Sequence, residues 1–504
     1  MQRTLLVLLL CLWAILPGSM AHQAAHAAHE PETDQPQQRT ADPAQLESDG
    51  IDAMERAEYE EAERLFRALI ESQPKLFVGH YNLASALSMQ GDGEAAVYAM
   101  QDAIRLGFTD LAQIRRDPDL QSFRETEFFM QLVRSWGMII DTRRKGDVEN
   151  LMPLMRRKFE QRTNEDLKIE LLSSHDTIAT DQALAELELL ASWGNSTLFP
   201  EVGALNDQPW IVVTLPDRDG FAAWATKVLG PGAGSSGASS SIGGAYEHSK
   251  RRLVAQDLGA TLRHEFIHVL HWRDMNRLGQ VHATWIQEGL ASLVEDYEVA
   301  GPSSAQTVVP VASWRTNIVK RMKDRRVLPT IQTLADTEIQ AFTRTRPLAK
   351  YAQARTIMLY LLDQHELSAF YDQYTQHFDD DPTGIASLEA VLGKEITQIE
   401  DDFRTWIDGL DMVAETGSDL QATLGIEIET GSGDGVVVTG LPSGSRARTG
   451  LHLKSVITAI NDQPTRDLFE LIRVLSQYKP GDTVTLHHRR GTVHSQSQAT
   501  LIEK

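Results

Sequence analysis

Between Ala260 and Leu270 the chain reads Ala-Thr-Leu-Arg-His-Glu-Phe-Ile-His-Val-Leu, apolar at helical spacing, with two histidines four positions apart and a glutamate beside the first. No other segment restricts the fold as strongly. Residues i and i+4 of a helix share one face, so His264 and His268 converge on one point. Phe266, Ile267, Val269 and Leu270 draw the same helix into the interior. Two imidazoles and a carboxylate are costly to bury without a metal or hydrogen-bonding partners. Glu265 is displaced around the helix but can lean over the same point without being a ligand.

The 504 residues exceed what a single core holds, so two to four domains are expected. Apolar residues at 42% and charged ones at 23% suit a soluble globular chain. Arg3, the apolar run Leu5 to Leu16, Pro17-Gly18 and Ser19-Met20-Ala21 read as a signal peptide over residues 1–21, cut after Ala21, with an uncleaved anchor as the alternative. Either way the rest of the chain is exported, to a periplasm or the medium. No stable membrane span is expected after cleavage, because no later stretch approaches the roughly 20 apolar residues that a span needs. Cys11 is the only cysteine and leaves with the leader, so the mature chain forms no disulfide. Loss of Arg3 takes the formal charge from −22 to −23 (−22 − 1), which argues against nucleic acid or an anionic membrane as partner.

Residues 22–45 hold almost no large apolar side chain and read as a flexible tether, with His22, His26 and His29 in a solvated linker. Ala62, Phe66 and Ile70 then recur 34 positions later as Ala96, Met100 and Ile104, with Pro74 closing the first unit. With Tyr59-Glu60-Glu61-Ala62 and Tyr81-Asn82-Leu83-Ala84, residues 47–107 resemble the tetratricopeptide family. The resemblance implies helix pairs over a region 46–140 whose concave face takes a peptide or protein partner. A plain helical spacer is the alternative. From 150 to 412 the pattern is α/β first and helical second. Asp181 to Trp193 has helical spacing and Trp210 to Leu215 is a short β-branched run. Gly230 to Gly244 is Gly/Ser-rich, and Leu258 to Leu410 reads as helix in nearly every segment, with a break at Asp379 to Gly384.

A catalytic zinc takes three protein ligands and keeps one position open for water. Trp285-Ile286-Gln287-Glu288-Gly289-Leu290-Ala291 offers a carboxylate 20 positions beyond His268. His-Glu-x-x-His followed by Glu-Gly-Leu-Ala resembles the gluzincins, and within them the peptidase MA-like group. The resemblance implies Zn2+ held by His264, His268 and Glu288, Glu265 as general base, and hydrolysis of a polypeptide substrate. Metzincins place their third ligand where Asp274 stands here, but the turn glycine they require is His271, so the helix should run on. His271 and His282 read as near-site or surface polar residues. Lys350-Tyr351-Ala352-Gln353-Ala354-Arg355 resembles the family segment whose tyrosine donates to the oxyanion. That role falls to Tyr351, with a purely structural tyrosine as the alternative. Gly244, Ala245, Tyr246 and Glu247, ahead of Arg252 to Ala255, look like the edge strand that aligns a substrate backbone. They partly match the Gly-x-Met-Glu-Asn motif of related aminopeptidases, in which the glutamate, here Glu247, holds a free amine. Ser292 stands where thermolysin-like relatives carry an aspartate bracing a metal histidine, which leaves that bracing role unassigned.

Residues 418–504 resemble a PDZ domain of the bacterial periplasmic protease kind: Thr423-Leu424-Gly425-Ile426 as carboxylate-binding loop, Gly435 to Val438 and Ile457 to Pro464 as strands, Leu468 to Leu475 as groove helix. The resemblance implies that Leu424, Gly425 and Ile426 receive a peptide terminus, or else that the module only packs. Lys454-Ser455 replaces the usual Gly-Asp before the second strand. The expected fold class is multidomain α+β: helical repeats, a zincin-like α/β and α-helical core, and a small β-rich domain. Two further functions stay open, a non-catalytic scaffold using its flanking modules and an aminopeptidase.

Overall fold

A computed structural model describes residues 42–155, 158–203, 210–229, 243–248, 250–302 and 305–504. The leader, the tether up to residue 41 and most of the Gly/Ser-rich stretch lie outside the described residues. The 34-residue repeat becomes two helical hairpins, α1 (Pro43–Glu55) with α2 (Tyr59–Ser72) and α3 (Phe77–Met89) with α4 (Gly93–Leu106), whose starts are offset by 77 − 43 and 93 − 59, or 34 each time. Asp42 caps α1 and Pro43 opens it, so the tether ends before Gln45. Asp92 caps α4 through the Ala95 amide. Helix α3 is buried on almost every side, and Tyr81 within it donates its hydroxyl to Asp117 at 2.7 Å. Two short helices, α5 (Leu111–Arg116) and α6 (Gln121–Arg124), follow, then the long α7 (Glu127–Leu151). The first compact unit ends at Lys145, inside α7 and beyond the expected limit of 140.

The second unit, 146–504, holds two larger sheets and two two-stranded pairs among the described residues. The first is a five-stranded sheet of β1 (Glu160–Asn164), β2 (Ile169–Ser173), β3 (Ile211–Leu215), β4 (Gly244–Glu247) and β5 (Arg252–Ala255), ordered β1-β2-β3-β5-β4. β2, β3 and β5 are parallel, with β1 and β4 antiparallel at the two edges. Helices α8 (Thr177–Thr197) and α9 (Arg218–Leu229) connect its strands, and β5 leads into α10 (Ala260–Leu278). β2 and β3 bury every residue, as strands covered on both faces do.

After α10 come α11 (Thr284–Leu293), α12 (Trp314–Asp324), the short α13 (Ile331–Ala335) and α14 (Ile339–Arg344), and then α15 (Pro347–Asp363), α16 (Leu367–Gln376), α17 (Ile385–Leu392) and α18 (Ile396–Gly409). The expected break at Asp379 to Gly384 separates α16 from α17. The reading of 258–410 as nearly all helix misses one feature, the hairpin β6 (Tyr297–Ala300) and β7 (Thr307–Pro310). Its two strands are four residues each, and only β7 alternates in exposure, a period too short to stand out beside long helices.

The C-terminal module is an antiparallel sheet ordered β14-β13-β11-β10-β9, with β9 (Glu427–Thr430) at the edge, then β10 (Val436–Gly440), β11 (Val456–Ile460), β13 (Thr483–Arg490) and β14 (Val493–Thr500). The short β12 (Gln463–Pro464) pairs with β11, and β8 (Ala422–Thr423) with β15 (Ile502–Glu503). Two helices complete it, α19 (Ser445–Thr449) and α20 (Leu468–Leu475). Lys454 holds φ +66°, the left-handed conformation a glycine would take before β11. Among the described residues no helix is long and apolar enough to cross a membrane.

Candidate active site

Gly259 precedes helix α10 as its cap, and the Asp257 carboxylate accepts from the amides of Gly259 and Thr261. The helix continues unbroken through His271 to Leu278 and ends on Gly279 in the left-handed conformation. One buried face carries His264 and His268. Helix α11 brings Glu288 against them, and its position depends on Gly289: a Cβ there would lie 2.9 Å from Met358 Cγ and 3.0 Å from the Ala354 carbonyl oxygen. The missing side chain lets α11 lie against α15.

His264, His268 and Glu288 therefore present three ligand atoms to one point. The two Nε2 atoms are 3.2 Å apart, and Glu288 Oε2 is 3.3 Å from the first and 3.5 Å from the second. A tetrahedral ion bonded to nitrogen and oxygen at about 2.0–2.1 Å sets its ligands about 3.3–3.4 Å apart. Glu288 Oε2 is buried and has no hydrogen-bond partner within the protein. A buried lone pair without a donor, 3.3 and 3.5 Å from two imidazole nitrogens, is an arrangement that a shared metal ion would satisfy. The residues present fit a metal of that geometry.

The charges are tightly coupled. Burial disfavours the charged forms of both His264 and Glu288, and the mutual attractions outweigh it. Glu288 is drawn down to about 2 by His268 and His264, and His264 is pushed up to about 10 by the closeness of Glu288 and its bond to Glu295. Glu265 behaves differently, because burial dominates and raises its carboxyl above the ordinary range. A carboxyl shifted that way is better matched to holding a proton for transfer. The backbone amide of Tyr246 donates to it. Gly244, in the same edge strand, allows the close approach, since a Cβ there would sit 2.8 Å from Glu265 Cγ.

Glu295, just past α11, takes the role for which Ser292 is unsuited. Its Oε1 lies 2.9 Å from His264 Nδ1, which fixes the ring so that Nε2 faces the cluster. Arg315 on α12 clamps the same carboxylate from Nε and Nη2, the second bond at 2.8 Å. Arg355, fully buried on α15, donates to the carbonyls of Ser292 at 2.9 Å and Val311 at 2.6 Å, closing the end of α11 and the turn that carries Glu295. Tyr351, one turn before Arg355, sets its ring 6.2 Å from that of His264.

The remaining sequence candidates are distributed as follows. Gly244, Ala245 and Tyr246 are buried in β4, while the Glu247 carboxylate turns to Arg252 at 2.9 Å and Lys250 at 2.6 Å, within its own hairpin. Asp274 accepts from Tyr371 at 2.8 Å and pairs with Arg277, away from the cluster. His271 and His282 are neither surface residues nor ligands. They form a buried pair with Nε2 and Nδ1 2.7 Å apart, beneath Phe199 and Tyr371. Leu424 is buried, and its carbonyl accepts from Arg448 at 2.7 Å, while Ser445 donates to the Gly425 carbonyl at 2.8 Å. Ile426 packs on the module's core.

Residues 422–501 match the PDZ domain family, and residues 259–382 match a family described as a protein of unknown function (DUF1570). A chloroplastic protein of Arabidopsis thaliana is 31% identical over 99 residues, 18% of this chain and 30% of the relative, so the chain spans under a third of that relative's length. Among solved structures, an HtrA-type protease with a decapeptide shares 22% identity over 21% of this chain and 35% of its own, with a TM-score of 0.16. An aminopeptidase N family protein from Idiomarina loihiensis shares 14% identity over 69% of this chain and 67% of its own, with a TM-score of 0.28.

Proposed function

We propose that this chain is an exported zinc metallopeptidase of the gluzincin type, with His264, His268 and Glu288 as ligands, Glu265 as general base and a polypeptide as substrate. The observation that carries the reading is the triangle of ligand atoms at 3.2, 3.3 and 3.5 Å with a raised carboxyl beside it. Zinc bound there supplies a Lewis acid for the scissile carbonyl and acidifies water. Glu265 takes one proton from the attacking water and delivers it to the leaving amine as the C–N bond breaks, which restores the carboxylate. Tyr351 donates to the oxygen that gains charge in the tetrahedral intermediate. The free edge of β4 aligns the substrate backbone by strand addition, with Gly244, Ala245 and Tyr246 along it.

The PDZ domain, through Leu424, Gly425 and Ile426, and the helical hairpins, read as tetratricopeptide repeats, recruit the substrate or a partner protein. Glu247 is neutralised by Arg252 and Lys250, which favours cleavage within a chain over capture of a free N-terminal amine. A non-catalytic scaffold would have no need of all four residues His264, Glu265, His268 and Glu288.

The test is elemental analysis of the purified full chain beside a casein digest. About one zinc per chain, lost in Glu288→Ala and accompanied by chelator-sensitive cleavage, is the expected result. Glu265→Gln should retain the zinc and the fold while cleavage falls on the order of 10³-fold. A folded chain that takes up no metal when zinc is supplied would leave the scaffold reading instead.

A further inference from the structure

The PDZ domain meets the catalytic helices through a closed set of buried charges rather than a tether. Arg263, the residue before His264, sends Nη1 to Glu470 at 2.8 Å and to Glu186 at 3.2 Å. Arg466 reaches the other oxygen of Glu186 at 2.7 Å, and its amide donates to Glu470 at 2.8 Å. Two arginines thus face two glutamates, and none of the four is more than 8% exposed. Glu470 lies in the first turn of α20, the helix that walls the PDZ groove, and it also sits over the start of α10. A Cβ on Gly259 would come within 3.2 Å of its Oε1. A carboxylate there complements the positive end of the metal-bearing helix.

From Arg263 the connection to the cluster takes two bonds. Its Nη2 donates to the backbone carbonyl of Glu295, whose carboxylate holds His264 Nδ1 at 2.9 Å. Glu470 fixes the Arg263 guanidinium, the guanidinium fixes the Glu295 backbone, and Glu295 fixes the imidazole. We propose that Glu470 of the PDZ domain is a positioning residue of the metal centre, acting through Arg263 and Glu295 on His264. Its chemistry rests on the metallopeptidase reading. The PDZ domain is then a working part of the catalytic unit, and the site is incomplete without it.

The experiment uses the full chain and two readouts besides cleavage: the zinc dissociation constant, by competition with a chromogenic chelator, and the visible spectrum of the cobalt(II)-substituted protein, which reports the ligand field. Glu470→Gln keeps the shape and removes the charge. His494→Ala is the control, because His494 meets Asp176 at 2.8 Å across the same junction, at the cap of α8, and is not one of the links from Glu470 to His264. The expected result is zinc binding weakened roughly tenfold and displaced cobalt bands in Glu470→Gln, against values near wild type in His494→Ala. Wild-type affinity and spectrum in Glu470→Gln, or equal changes in the two variants, would overturn the proposal. If Glu470→Gln does not fold, Glu470→Asp, which keeps the charge but shortens its reach, is measured in the same way. Unchanged values there overturn the proposal too. A wild-type chain that binds neither metal would overturn the metallopeptidase reading along with it, whereas the preceding outcomes sink this inference alone.

Discussion

Glu295 stands seven positions past Glu288, beyond the end of α11 at Leu293. Helical spacing alone could not point to it, because the chain has left the helix before reaching it. The cluster was legible in part: a four-residue interval on one helix dictates a shared face for His264 and His268, whereas Glu288 came only from the resemblance to the gluzincins. What the sequence leaves silent is the clamp around Glu295, since Arg315 on α12 meets its carboxylate, and Arg355 on α15 the neighbouring carbonyls, only through tertiary packing. Glu295→Gln keeps an acceptor for His264 Nδ1 but loses the charge that holds both the ring and Arg315. Zinc affinity or cleavage should drop about 10- to 100-fold with the fold intact, as measured by chelator competition and peptide turnover. No loss in either would reduce Glu295 to a structural ion pair.

Helices α11 and α15 form the most constrained pair around the cluster, because Gly289 abuts the Ala354 carbonyl and Met358. Gly289→Ala must push Glu288 off its position even though alanine is the better helix former. A destabilisation on the order of 1–3 kcal/mol is expected in denaturant titrations, together with weaker metal uptake. A variant more stable than wild type would show that the two helices can part freely. The His271–His282 pair ties α10 to the turn before α11 in a different way. Burial holds the His282 imidazole neutral, its pKa lowered to about 3 from an ordinary 6.5. Between those values the unfolded chain binds a proton that the folded chain excludes, so stability is intact above about 6.5 and is lost as pH falls toward 3. The loss is on the order of a few kcal/mol. His282→Asn retains an acceptor for His271 and should flatten this acid slope in metal-free protein; an unchanged slope would place the acid sensitivity elsewhere. The sequence offered these two histidines as loose polar residues because the aromatic residues that enclose them, Phe199 and Tyr371, lie far away along the chain.

At the scale of the whole molecule, the segments were readable where a local period set them, 34 residues in the hairpins and the apolar helix of the cluster, and where a resemblance did, the strands and helix of the PDZ domain. The junction between the PDZ domain and the helices of the cluster was not, because its partners are 77 and 207 positions apart. Further contacts complete the junction. The Leu258 amide donates to the Gly433 carbonyl at 2.9 Å, and His494 lies 2.8 Å from Asp176. Gly433 at φ +117° would drive any Cβ to 2.6 Å from the Gln256 carbonyl oxygen, so that approach needs glycine. Burying four charges in exchange for each other costs solvation that a tethered domain would not incur, and breaking one partner leaves the others uncompensated. Domains joined in this way open together. A metal bound only by the native state raises its stability by about 2.7 kcal/mol at a hundredfold excess over the dissociation constant. That stabilisation should therefore extend beyond the cluster to the amides of Val484 and Leu486 in β13, in the core of the PDZ domain. Hydrogen exchange followed with and without saturating zinc tests this, and a slowing of up to about 100-fold at these amides is the expected result. Equal exchange rates in the two conditions, with the amides of α10 protected, would mean that the PDZ domain opens by itself and that the buried charges join two bodies without coupling them.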